Sequence, residues 1–178
     1  MKKLAVILLA LSAITIEASA QKYFTRNGHV WFFSETPAEN IEAHNHQANS
    51  IINAENGEMV FTILMKSFEF EKALMQEHFN EKYVHSDEFP KAKFQGEITN
   101  IDKIDFTKDG TYETPVKGDI TIHGVTKPIE TTGTLEVKNG KVIGKSTFPI
   151  TLADFDIEIP SMVRDKIAKV VDVHVDMN

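Results

Sequence analysis

The chain has 178 residues, no cysteine and a formal net charge of −7. That length suits one domain with a sizeable core. The missing cysteines exclude disulfides and thiol chemistry, and the lack of a basic tract excludes nucleic acid as a partner, because phosphate binding needs clustered Lys and Arg.

The chain opens with MKKLAVILLALSAITIEASAQ. Lys2 and Lys3 form a positive start, Leu4 to Ile16 is an apolar run too short for the roughly 20 residues a spanning helix needs, and Ala18-Ser19-Ala20 gives a small-x-small cleavage pattern. Residues 1–20 therefore read as a cleaved secretory signal, with residues 21–178 as the mature domain in the periplasm or outside the cell. Without a cysteine there is no lipoprotein anchor. Cleavage removes two lysines and one glutamate, which takes the charge from −7 to −8. Such a charge opposes tight adsorption to an anionic membrane and leaves room for transient contact.

Strand signals dominate the mature chain. KYFTR and HVWFFSET, within Lys22 to Thr36, are aromatic-rich runs around Asn27-Gly28, which predicts a hairpin there. Glu58 to Phe70 is a long strand run with Met59, Phe61, Ile63 and Met65 on one face and apolar residues on the other. Such a strand is buried on both faces or lines a cavity on one of them. FEKALMQEHFNEKY then switches to helical spacing, predicting a short helix over Lys72 to Phe79. That helix and the loop Asn80 to Pro90 are candidates for a lid.

Lys93 to Ile101 alternates with Phe94, Gly96 and Ile98 in phase, and Tyr112 to Ile122 alternates with Val116, Gly118, Ile120 and Ile122 in phase. His123-Gly124 interrupts the strand pattern before Val125, and Gly124 can take positive φ at no steric cost, so the pair reads as a bend between paired strands. Asn139-Gly140 predicts a second hairpin, and Val171, Val173, Val175 and Met177 alternate to the end. Pro160 to Lys166 suits a helical turn.

The expectation is an all-β, antiparallel barrel of about eight strands with one short helix inserted, since closure removes exposed edges. Pro115 and Pro149 inside strands demand a bulge or a locally unpaired position, and Gly96, Gly118, Gly133 and Gly144 suit sharp bends at barrel corners or close approach by a ligand.

Chemistry-bearing residues are sparse. His44 and His46 could reach one ion from one strand face, yet catalytic zinc needs a third ligand. An exported metal enzyme at that pair is one alternative. No serine sits in a G-x-S-x-G elbow. The apolar set says more: Phe32, Phe61, Ile63, Phe94, Ile98, Ile120, Ile122, Phe148 and Val173, with Leu74 and Phe79 from the helix. An eight-stranded barrel can be filled by its side chains or hold one small ligand. Periodicity leaves both readings open, and a filled barrel that binds another protein through its acidic face is a second alternative.

Two motifs carry a resemblance. MQEHFNEKYVHSDEFPKAKFQG (Met75 to Gly96) followed by VKGDITIHGVTKPIE (Val116 to Glu130) resembles the YceI-like family, and FPITLADFDIEIP with VVDVHVDM resembles its C-terminal part. Asp154-Phe155-Asp156-Ile157 carries Asp where the family pattern has Gly, and the stretch ENIEAHNHQANSIINAENG matches poorly. The resemblance implies a lipocalin-like antiparallel barrel whose hydrophobic cavity binds a polyisoprenoid lipid, such as an isoprenoid quinone or its precursor. It implies a binding protein without catalytic residues, and no cofactor beyond a bound isoprenoid lipid. With the mid-strand glycines, it tilts the apolar set toward a cavity lining.

Overall fold

The computed structural model describes residues 21–178. The signal-peptide reading of residues 1–20 lies outside the described residues.

The strands are β1 (Lys22–Glu35), β2 (Asn40–Asn53), β3 (Glu58–Leu64), β4 (Glu69–Phe70), β5 (Lys91–Ile98), β6 (Gly110–Ile122), β7 (Val125–Lys138), β8 (Lys141–Thr151) and β9 (Val170–Met177). Eight of them close into an antiparallel ring in the order β1-β9-β8-β7-β6-β5-β3-β2, with β1 pairing back onto β2. The two-residue β4 adds to one end of β2, Ala43 facing Phe70. The expected barrel is therefore the fold.

Turn chemistry explains the tight connections. Ile122 pairs with Val125 and Lys138 with Lys141, leaving two residues in each turn. His123 and Gly124 have φ of 51° and 76°, and Asn139 and Gly140 have 52° and 75°. Two successive positive φ values give the turn whose twist matches the flanking strands. The bend at His123 and the hairpin at Asn139-Gly140 thus form as expected.

Asn27-Gly28 does not. β1 runs through it as one strand, with register irregularities against β2 on both sides of Gly28. Gly28 is needed for space: a Cβ there would lie 2.1 Å from Met177 Sδ on β9. The dipeptide marks a bulge and a close approach inside the barrel.

β2 carries little strand signal because most of its inward residues are small or polar: Ala43, Asn45, Ala48 and Ser50 are buried, with only Ile41 and Ile52 apolar and large at its two ends. Asn45 is held by two hydrogen bonds. Its Nδ2 donates to the Leu64 carbonyl at 2.8 Å, and its Oδ1 accepts from the Gln47 N–H at 2.9 Å. The first bond lies where β3 ends. The expected long strand to Phe70 is accordingly broken by a 3-10 turn, Met65–Ser67, before β4.

Pro115 and Pro149 each sit where the ladder to one neighbouring strand has ended. The β5 ladder on β6 ends at Ile98–Val116, and the Pro115 carbonyl accepts from the Thr99 N–H. The missing Pro115 N–H points the same way, past the end of β5. Pro149 lies beyond the last β7–β8 pair, Gly133–Ser146. Neither removes a ladder bond.

The inserted helix α1 (Ala73–His78) continues as a π-turn, Phe79–Tyr83, so the helical segment is longer than expected. Pro160 caps a 3-10 turn, Ser161–Val163. Asp156, which stands where the resembled pattern has glycine, adopts left-handed φ 54°, ψ 30°. A side chain there carries a steric cost that glycine escapes.

Candidate functional site

Alternation puts one face of every ring strand inside the barrel, and over part of the barrel's length these faces do not meet. They enclose a cavity of about 510 Å³, within the roughly 300–1,000 Å³ of small-molecule sites. The filled-barrel alternative is therefore not what the structure shows.

Aromatic pairs define its two ends. At the floor, Phe61 and Phe94 pack edge to face, with ring centroids 6.0 Å apart at 70°. Phe94 can lie there because β5 and β6 oppose glycines, Gly96 to Gly118. A Cβ on Gly96 would be 2.6 Å from the Phe94 Cζ and 2.3 Å from the Lys117 carbonyl. Below this floor Ile52, Ile98, Ile104 and Leu135, with Met59 at the boundary, form a second packed cluster. The barrel is thus solid at one end and hollow at the other.

At the roof, Phe79 meets Phe32, Phe68 and Phe70 at centroid distances of 5.7, 5.6 and 5.1 Å. α1 brings Leu74, Met75 and His78 to the wall beside them. The helix has no buried residue, so it is held mainly by its flanks. On one flank Lys72 pairs with Glu39 at 3.1 Å. On the other, Lys66 pairs with Asp87, and His85 Nδ1 lies 2.8 Å from His123 Nε2. His123 Nδ1 is 3.0 Å from the Phe155 carbonyl, which can only accept. That bond puts a proton on Nδ1, and in the neutral ring it leaves Nε2 to accept from His85. His123 is thus a turn residue that also ties the 80–90 loop to the barrel.

Of the residues expected at the cavity, Phe32, Phe61, Ile63, Leu74, Phe79, Phe94, Ile120, Ile122, Phe148 and Val173 all line it. Ile98 does not; it is buried in the packed cluster under the floor. Its face is right and its depth is not, since it lies four residues, about 13 Å at about 3.3 Å per residue, beyond Phe94. Missed by alternation were wall residues outside the ring strands, among them Phe68, Tyr83, Ile157 and Ile167. Only their apolarity in otherwise polar loops signals them.

The few polar groups sort by depth. Toward the floor, Ser146 Oγ donates to the Thr132 carbonyl at 3.3 Å. At the mouth, Ser34 Oγ accepts the Ala168 N–H at 2.9 Å. His78, Tyr83, Glu39 and Lys166 also border the mouth end. Burial raises the Tyr83 pKa above its ordinary value, so the phenol stays protonated.

His44 and His46 lie elsewhere, on the outer face of β2. His44 Nδ1 is 2.9 Å from His29 Nε2, and its Nε2 is 3.3 Å from Glu42. His29 stacks on His46 at 4.2 Å and on Trp31 at 4.4 Å, and Trp31 stacks on His174 at 4.8 Å. Burial first, then the neighbouring His46 and His44, lower the His29 pKa, against the pull of Asp176 and Glu42. Stacked side by side, His29 and His44 each spend one nitrogen on the other, and His174 spends one on Thr147. Among the described residues, no three His, Asp or Glu side chains converge as metal ligands.

A closed antiparallel barrel with a largely apolar cavity inside defines a lipocalin-like fold. The chain belongs to the YceI-like family: the model of the YceI-like domain matches residues 15–178. No curated protein matches it significantly. Among solved structures it is similar to a polyisoprenoid-binding domain from Saccharophagus degradans implicated in plant cell wall breakdown, with TM-score 0.77 and 13% identity over 88% of this chain and 95% of that one. It is also similar to BcnA of Burkholderia cenocepacia, with TM-score 0.71 and 16% identity over 84% and 94% of the two chains. A YceI protein of Campylobacter jejuni aligns over 99% and 96%, with TM-score 0.54 and 16% identity. Such identities establish a shared fold.

Proposed function

We propose that the chain is an exported carrier or reservoir for one long apolar molecule of the polyisoprenoid class, an isoprenoid quinone or its precursor. The observation that carries this is the cavity of about 510 Å³ with an almost wholly apolar wall, which the barrel's own side chains leave unfilled. At about 30 Å³ per water-sized group, it has room for at least about seventeen carbons. Membership of the YceI-like family, and the fold shared with a polyisoprenoid-binding domain, support the ligand class. The signal-like N-terminus supports export.

Orientation follows from the polar groups. A tail runs toward the Phe61–Phe94 floor, and a polar head stays near His78, Tyr83 and Lys166 at the mouth. Burial is worth about 0.8 kcal/mol per methylene against water. A bilayer already keeps the tail dry, so exchange between bilayer and barrel is close to neutral in apolar terms. Shape and head-group contacts then set occupancy, as suits reversible carriage.

Organic extraction of purified protein, read by mass spectrometry, tests the reading. About one prenyl lipid per chain is expected, as is co-elution with added isoprenoid quinone followed by quinone absorbance. The single tryptophan is no reporter, because Trp31 stacks with histidines on the outer face. No lipid in the extract and no uptake of quinone would end the proposal.

A further inference from the structure

An acidic barrel that exchanges a lipid with a bilayer must still present its mouth to that bilayer. We propose that the segment 160–169 is a docking foot that seats the protein, mouth first, on an anionic lipid surface. The proposal rests on the reading of the cavity as a lipid site.

Met162 is 89% exposed, the most exposed large apolar side chain among the described residues. A lone exposed apolar residue needs no explanation in general. This one sits at the tip of the turn Ser161–Val163, whose Val163, together with Lys166 and Ile167, lines the cavity. The segment is therefore one lip of the mouth. α1 supplies another, where Leu74 both lines the cavity and is 59% exposed.

Charge singles out the same lip. Arg164, Lys166 and Lys169 are exposed, and none of them forms an ion pair among the described residues. Asp165 is the one acid between them, so the segment is locally cationic on a chain of net charge −7. An anionic surface repels the rest of the barrel and attracts this edge, which orients the approach. The lip is also pinned: the Ala168 N–H donates to Ser34 Oγ at 2.9 Å, and the Leu152 N–H to the Lys169 carbonyl at 2.9 Å. Met162 is held outward beside cations, ready to enter the head-group layer, as in interfacial anchors.

A second apolar patch is a useful contrast. Phe24, Ile51 and Val60 are in register across β1, β2 and β3 and are 65%, 42% and 42% exposed. They lie outside the packed end of the barrel, remote from the mouth.

Sedimentation with phosphatidylglycerol–phosphatidylcholine vesicles, against phosphatidylcholine alone, tests the foot without reference to cargo. The protein is expected to partition onto the anionic vesicles only, and less as salt rises. Met162→Ser should lower that partition severalfold, and Arg164→Glu with Lys169→Glu at least about tenfold, since each surface cation contributes about a fivefold factor. Phe24→Ser should leave it unchanged, and far-UV circular dichroism should show all variants folded. No partition onto anionic vesicles overturns the docking proposal even if a prenyl lipid is extracted. Partition that the lip variants leave intact, or that Phe24→Ser abolishes, assigns the contact to another face and overturns it as well. Absence of lipid from the extract, with lip-dependent partition preserved, instead sinks the cargo reading alone.

Discussion

Val175→Phe tests whether the barrel is hollow. Val175 lines the cavity between Val30 on β1 and Ser146 on β8, both small. The substitution adds about four carbons, or about 120 Å³ at about 30 Å³ each, roughly a quarter of the 510 Å³. In a close-packed core such an insertion costs about 1–3 kcal/mol through off-rotamer side chains and backbone shifts. Here the ring enters empty space. Burying about four carbons at about 0.8 kcal/mol each offers up to about 3 kcal/mol, less the restriction of the new side chain. Stability measured by urea unfolding of delipidated protein should hold or rise by about 1–2 kcal/mol. At about 2–4 °C per kcal/mol for a chain of this size, the thermal midpoint should rise by a few degrees. Mass spectrometry of extracts should show less lipid, or a shorter tail, than in the wild type. A loss of 1 kcal/mol or more, with lipid content unchanged, would mean that the interior behaves as a filled core, and the reasoning would fail.

Phe79→Ala removes the ring shared by three aromatic contacts at the roof. At about 0.5–1 kcal/mol per contact it should favour the open lid by about 2 kcal/mol, and speed quinone transfer to vesicles by about ten- to thirtyfold in stopped flow. Gly96→Ala should destabilise by about 1–3 kcal/mol, since its Cβ would stand 2.3 Å from the Lys117 carbonyl. Gly144→Ala, with nothing within 4 Å of the new Cβ, should be neutral or gain up to about 1 kcal/mol; thermal melts of the pair decide. Asp156→Gly should raise the melting temperature slightly, because φ 54° costs Asp about 1 kcal/mol and glycine little. The lowered His29 pKa means that the unfolded chain, with an ordinary value near 6.5, takes the proton first. The stability this group confers is then present above about pH 6.5 and lost as pH falls from there through the lowered folded value. Urea midpoints at neutral and mildly acid pH should diverge more for the wild type than for His29→Gln.

The alternating strands β5 to β9 were legible because most inward positions carry an apolar side chain or a glycine, broken only by small hydroxyl residues such as Thr114, Thr131 and Ser146. The turn at Asn139-Gly140 was legible because only a few residues tolerate two successive positive φ values. The same logic misled at Asn27-Gly28. There glycine answers to a neighbour far along the chain, Met177, and local sequence cannot distinguish the two demands. β2 was illegible for a related reason. Its core positions hold Asn45 and Ser50, whose burial is acceptable only because partners such as the Leu64 carbonyl arrive from another strand.

Within the site, sequence set the face of each residue, and the fold set its depth. Phe94 and Ile98 share a face of β5, yet one borders the cavity and the other lies under its floor. Alternation is a property of the pleat and is written locally. Whether opposing faces of a closed wall touch or stand apart depends on strand number, tilt and the size of every residue across the ring. The sequence by itself determined an apolar-lined, antiparallel barrel with a helical insert. Only the tertiary structure decided that its upper half is hollow, because empty volume belongs to the arrangement of all the strands together and to no single one.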